Sequence, residues 1–218
     1  MTLSLKERFK RLKRVITQGS DESQKGLARQ IRANSNILFF LYPGKAHRLF
    51  MDTKKFIERS RIVEHNYVLL KDESQSFYQG LPLQGIPDFQ GLLEWHLESL
   101  KDFPHCSRIH CVGTSAGAYA ALLYAHYLKA DWATAFGAAT FIDPQDCPCA
   151  PPDLAKVLEQ GNGRSSYRLY FCREASEDRE QAQRIAGLPG VELHPQEGNQ
   201  HNVIKEMNLR GKLEDFFL

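Results

Sequence analysis

The stretch RIHCVGTSAGAYAALLYAHYL, residues 108–128, sets one serine between two glycines where a short apolar run gives way to a long alanine-rich one. Residues 108–113 have the length and content of a buried strand, and residues 115–129 those of a helix. Gly113-Thr114-Ser115-Ala116-Gly117 therefore falls on a strand-to-helix turn. The glycines let backbones approach closely there, while the serine projects its Oγ from a strained turn. Ser115 is then either a nucleophile or a small residue at a crowded turn. A base, an acid and two oxyanion donors elsewhere in the chain would decide for the nucleophile.

Working outward, NILFFLYPG (36–44) reads as a buried strand closed by Pro43-Gly44, and NYVLLKD (66–72) as a second. A helix follows at 88–102, where Asp88 can cap the apolar spacing of Leu92, Leu93, Trp95 and Leu97. Beyond the central stretch, WATAFGAATFID (132–143), YRLYFC (167–172) and GVELHP (190–195) each hold a strand, with helices at 177–186 and about 202–217. The intervening segment 143–166 carries Pro144, Pro148, Pro151 and Pro152 near its start, which forbid a continuous helix or central strand there. A short helix around 153–159 is expected within it, in a loop long enough to be a lid or a substrate-facing insertion. Strands alternating with helices at this spacing imply right-handed crossovers. The expected fold is a three-layer α/β/α sandwich with a mostly parallel sheet of about six strands, one domain over residues 1–218.

Charge is unevenly placed. Residues 1–32 hold nine Lys/Arg against three acids, whereas the whole chain is only +2. Within this segment Leu5, Phe9, Leu12 and Ile16 recur at helical spacing, so 3–17 reads as a basic amphipathic helix, followed by the polar linker TQGSDESQKG. Such a helix packs against its domain with a solvated outer face, or lies on a partner or an anionic membrane surface. With the remainder mildly acidic and no nucleic-acid-binding motif, no nucleic-acid partner is expected. No run of about 18 apolar residues or secretory signal is present, which gives a cytoplasmic expectation. Of the five cysteines, Cys106, Cys111, Cys147 and Cys172 lie in or near apolar or strand-like sequence and are read as reduced core thiols. Cys147 and Cys149 form a C-P-C pair, but no second Cys/His pair stands at zinc-finger spacing, and no metal site is expected.

A serine hydroxyl is a poor nucleophile until an imidazole takes its proton. Of eight histidines, His201 follows the last strand at a loop-to-helix junction, on the sheet edge where the serine would stand. His194 lies in or at the end of that strand and precedes a proline. A carboxylate must then orient the imidazole. REASEDREQAQRIAG, after the strand at 167–172, offers Glu174, Glu177 and Asp178. Asp178 is favoured, a few residues past the strand end, with Asp143 one strand earlier as the competing acid. Acids at a helix start also have a purely electrostatic reason to be there. One oxyanion donor would be the N–H of Ala116, and the other that of Gly44 or Lys45, since Pro43 has none.

The order of strand, Gly44-containing loop, Ser115 turn, Asp178 and His201 resembles the α/β-hydrolase superfamily over residues 36–217. The resemblance implies a carboxylic ester or thioester substrate, an acyl-enzyme on Ser115, and no cofactor. KDESQSFYQGLPLQG (71–85), with Asp72, Phe77, Tyr78, Gly80, Leu81 and Pro82, is also similar to a segment of hydrolase-like proteins associated with bacterial glycan or secretion pathways. That likeness implies an O-acyltransferase acting on a glycan as the alternative. A noncatalytic hydrolase-like binding module is the reading from a different class. Against larger hydrolases, the first two strands of the N-terminal edge look replaced by the basic helix and linker, and no large cap domain is expected.

Overall fold

The computed structural model describes residues 26–145, 147, 149 and 151–214. The basic helix expected at 3–17 lies outside the described residues. Among them the sheet has seven strands: β1 (Leu27–Gln30), β2 (Ile37–Tyr42), β3 (Asn66–Leu70), β4 (Arg108–Thr114), β5 (Trp132–Phe136), β6 (Ser166–Cys172) and β7 (Val191–Gln196). Their order is β1-β3-β2-β4-β5-β6-β7. Every pair is parallel except β1 with β3, which is antiparallel. β1 corrects two expectations: the sheet has one strand more than anticipated, and a segment read as linker closes its N-terminal edge.

Helices α1 (Thr53–Arg59), α2 (Phe89–Ser99), α3 (Ala116–Leu128), α4 (Leu154–Glu159), α5 (Ser176–Gln183) and α6 (Val203–Leu209) cover the two faces. Alternation along β2 shows how. Leu38, Phe40 and Tyr42 join a core with α2 and α3, while Phe39 and Leu41 join a second core with Phe56 and Ile57 of α1 and Val203, Ile204 and Met207 of α6. The period of two along a strand thus separates two hydrophobic layers across one sheet. α3 is buried along almost its whole length, which is why its sequence is apolar on all sides rather than on one stripe. Asp88 caps α2 as the sequence suggests, accepting from the Gly91 N–H, and Asp153 likewise caps α4 by accepting from the Ala155 N–H. α1 has no counterpart in the sequence reading, and α6 ends at Leu209, well short of residue 217.

The cysteine expectation is corrected in part. Cys147 and Cys149 are joined in a disulfide, their Cα atoms 5.4 Å apart and so within bridging range, while Cys106, Cys111 and Cys172 are free thiols. Among the described residues no helix is long and apolar enough to cross a membrane.

Candidate active site

β4 delivers Ser115 to the carboxyl edge of the sheet, where the chain must turn at once into α3. Ser115 takes φ 52° and ψ −120°, a conformation an L-residue adopts only under constraint. Two glycines permit it. A Cβ on Gly113 would stand 2.0 Å from Gly117 O, and one on Gly117 would stand 1.9 Å from Tyr42 O. The Ser115 N–H donates to Phe136 O at 2.9 Å, which ties the turn to the end of β5.

Asp178 lies in the first turn of α5, after β6, and is buried. Its Oδ1 accepts from His201 Nδ1 at 2.7 Å, whereas Oδ2 has no partner among the described residues. His201 lies in the loop between β7 and α6. Its ring passes so close to Gly137 that a Cβ there would be 3.0 Å from Cε1 and 3.1 Å from Nδ1. Gly137 directly follows Phe136, the residue whose carbonyl holds Ser115, so Ser115 and His201 flank one point at the end of β5. Phe50 packs edge-on against the imidazole at 5.0 Å, and Asn202 Nδ2 donates to Phe50 O at 3.0 Å, fixing the loop that carries the ring. The hydrogen bond to Asp178 holds the His201 imidazolium above the ordinary imidazole range, against the opposing effect of burial. With Nδ1 committed to Asp178, Nε2 is the nitrogen left to exchange a proton. Neither Nε2 nor Ser115 Oγ has a hydrogen bond among the described residues.

The loop after β2 brings Gly44 against the serine: a Cβ there would lie 3.2 Å from Ser115 Cβ. Its N–H is not a free donor, which corrects the expectation. It is shared between Arg48 O and Thr114 Oγ1, each at 3.1 Å, and Thr114 Oγ1 itself donates to Arg48 O at 3.2 Å. Thr114 thus ties the Gly44 turn to the Ser115 turn. The backbone N–H groups of Lys45 and Ala116 have no acceptor among the described residues.

The other sequence candidates separate clearly. Asp143 caps its own loop, accepting from Gln145 N at 2.8 Å. His194 stacks on Tyr170 within β7. Glu177 is exposed beside Asp178. Sequence reasoning missed Thr114, Phe50, Gly137 and Asn202, all of which position the first set without carrying a motif of their own.

No family model matches the chain, and neither does any curated protein sequence. Solved structures do. The esterase Pf2001 of Pyrococcus furiosus superposes with a TM-score of 0.59 at 14% identity, covering 90% of this chain and 93% of that one. An α/β serine hydrolase homologue from Coxiella burnetii gives 0.58 at 14%, covering 88% and 90%. The chain has the α/β-hydrolase fold. The Mycobacterium tuberculosis protein Rv0554 adds a TM-score of 0.61 at 10% identity, covering 88% and 93%. Identities this low carry the hydrolase fold alone, so chemistry has to be argued from the residues of this chain.

Proposed function

We propose that the protein is a serine hydrolase of carboxylic esters or thioesters, working through an acyl-enzyme on Ser115. The observation that carries this reading is the Asp178–His201 hydrogen bond of 2.7 Å beside a serine held at φ 52°. Asp178 fixes His201 as the Nδ1–H tautomer and stabilises the imidazolium that forms when Nε2 takes the Ser115 proton. Ser115 Oγ bonds to the substrate carbonyl carbon, and the N–H groups of Ala116 and Lys45 receive the oxyanion. His201 returns the proton to the departing alkoxide or thiolate, then takes one from water as that water attacks the acyl carbon, and passes it to Ser115 Oγ as the acyl–Oγ bond breaks and the acid is released. The His201 side chain is 50% exposed, so water has direct access to the deacylation step.

The test is turnover of p-nitrophenyl acetate and butyrate by wild type and Ser115→Ala, with fluorophosphonate labelling mapped by mass spectrometry. Labelling at Ser115 with turnover abolished in the alanine variant is expected. A folded wild type that neither turns over nor labels would favour the noncatalytic binding module. Product shifting to a transfer ester when alcohol is added would favour the acyltransferase.

A further inference from the structure

Behind the Gly44 turn lies a loop that the proposed chemistry does not use. After β3 the chain runs through Asp72 to Tyr78, and within four residues Gln75, Phe77 and Tyr78 take φ of 54°, 55° and 59°. Aromatic residues adopt such values only where their surroundings over-determine them. Here the surroundings are explicit. The buried Asp72 carboxylate accepts from the Tyr78 N–H at 2.9 Å and from Ser74 Oγ at 2.6 Å. Tyr124 OH donates to Tyr78 O at 2.7 Å, and the Tyr78 ring packs edge-on against Tyr42.

What this constrained backbone delivers is one hydroxyl. Tyr78 is 1% exposed, and its single O–H proton is shared between Pro43 O at 2.7 Å and Leu70 O at 3.0 Å. Pro43 has no N–H, so its carbonyl is the only polar handle on that residue. The same turn is touched again at Lys45, whose ammonium lies 5.1 Å from the Phe77 ring centre. On its other side it is pressed by Gly117, whose absent Cβ would sit 2.6 Å from Pro43 O.

We propose that Tyr78 is a positioning residue: by holding the Pro43 carbonyl, its hydroxyl fixes the Pro43–Lys45 turn and aims the Lys45 N–H at the oxyanion. This rests on the oxyanion role given to Lys45 above. The strained loop then has a purpose that packing alone does not require, since a Phe at position 78 would fill the same space.

Tyr78→Phe removes the hydroxyl and nothing else. It is compared with wild type and Ser115→Ala in p-nitrophenyl butyrate hydrolysis, in the rate of fluorophosphonate labelling, and in inhibition by an aryl trifluoromethyl ketone, whose adduct with Ser115 carries an oxyanion. Expected are a KM within about twofold of wild type, kcat and labelling rate lower by about 10- to 100-fold, and an inhibition constant weakened by a similar factor. A variant with a lowered melting temperature but wild-type kcat, labelling and inhibition would overturn the proposal and leave the hydroxyl a structural bond. If Tyr78→Phe does not fold, Tyr124→Phe, which releases the Tyr78 carbonyl, is measured instead. The same kcat-directed loss is expected there, and an unchanged kcat overturns the proposal equally. Ser115→Ala that keeps turnover and labelling would remove the reading of the site itself, a failure distinct from that of Tyr78.

Discussion

Gly117→Ala perturbs the site without altering any side chain assigned to the chemistry. The new Cβ would stand 1.9 Å from Tyr42 O, 2.5 Å from the carbonyl carbon of Tyr42 and 2.6 Å from Pro43 O. Non-bonded carbon and oxygen rest about 3.3 Å apart or more, so α3 and the end of β2 must part by about 1.4 Å. No rotamer change relieves this, because every atom met first is backbone. Tyr42 is the register partner of Gly113 across β2 and β4, so the shift strains the sheet as well as the turn. Overpacking of this kind costs about 1–3 kcal/mol, and the upper end applies where backbone must move. For a chain of this size the upper end is a fall of about 6–12 °C in melting temperature.

The displacement lands on the Pro43–Lys45 turn, which the proposed mechanism uses for an oxyanion donor. Misplacement by about 1 Å is worth about 100-fold in rate. The assay is circular-dichroism melting together with esterase turnover normalised to the sites that fluorophosphonate can titrate, so that unfolded protein does not count as slow enzyme. Gly44→Ala is the internal comparison, because its Cβ meets Thr114 O at 3.0 Å and Ser115 Cβ at 3.2 Å, contacts that relax within a few tenths of an ångström. Its loss should stay below about tenfold. A Gly117→Ala protein that melts with wild type and keeps most of its per-site activity would refute the claim that backbone approach at residue 117 sets the turn.

Asp178→Asn should lower kcat by about 10³- to 10⁴-fold with little change in KM, since an amide no longer enforces the Nδ1–H tautomer; a drop below tenfold in steady-state kinetics would argue that another acid serves. The hydrogen bond to Asp178 raises the His201 pKa from the ordinary 6.5, so neutral base becomes available only above that value. The acid limb of kcat/KM should therefore bend above pH 6.5 and move downward in whatever activity Asp178→Asn retains, as a pH profile would record. The same raised pKa makes the His201–Asp178 pair a source of stability that is full below the unfolded pKa and lost as pH rises through the folded one. His96 and His110 act with the opposite sign. Burial pushes them down to about 4 and about 3, so the native state binds fewer protons than the unfolded state below pH 6.5. Stability should fall on acidification from pH 6.5 toward 4, by about 2 kcal/mol for each of the two at pH 5. Urea denaturation of wild type and His96→Gln at pH 7 and pH 5 checks this, the variant losing less.

The strands β2 to β6 are legible as apolar runs bounded by turn residues and β7 as Val191 and Leu193 alternating with polar residues, and Ser115, Asp178 and His201 are picked out by where those strands end. β1 is not, because Leu27-Ala28-Arg29-Gln30 has no apolar run; its existence depends on pairing with Leu70 to Tyr67 of β3. α1 escapes for a related reason: in Thr53–Arg59 only Phe56 and Ile57 are apolar, and adjacent positions make no helical stripe. The C-P-C spacing is the same whether the thiols are free or joined, so the Cys147–Cys149 bond carries no local signature. The choice between Gly44 and Lys45 as donor is not legible, because the Gly44 N–H is shared between Arg48 O and Thr114 Oγ1, the latter 70 residues away in sequence. Positive φ at Phe77 and Tyr78 runs against residue preference, and only the Asp72 carboxylate and the Tyr124 hydroxyl make it tenable.

How the site is held is a separate matter of backbone hydrogen bonding at the strand ends. The residues that carry chemistry sit just past the strand ends, where sheet hydrogen bonding would ordinarily stop. Here it continues by a residue or two. Beyond the Thr114↔Phe136 pair, Ser115 N bonds to Phe136 O; beyond Phe136↔Tyr170, Gly137 N bonds to Tyr170 O. Beyond Cys172↔Gln196, Arg173 N bonds to Gln196 O and Glu174 N to Gly198 O. The turns after β4, β5 and β6 are thus each tied by backbone to the neighbouring strand or the loop beyond it, which gives loop residues the rigidity of the sheet and keeps Ser115, Gly137 and Asp178 in register. His201 lies outside this extension. Its position depends on Asp178, Asn202 and Phe50, and Asn202 also caps α6 by accepting from the Lys205 N–H at 3.0 Å, so substitution of Asn202 should loosen the imidazole and the start of α6 while leaving the Ser115 turn intact. Loss of the α6 cap costs about 1 kcal/mol, a fall of about 2–4 °C in melting temperature, while Asn202→Ala is expected to slow acylation by p-nitrophenyl esters by about tenfold or more. Acylation at the wild-type rate beside such a fall in melting temperature would mean that the loop between β7 and α6 is anchored through the sheet after all.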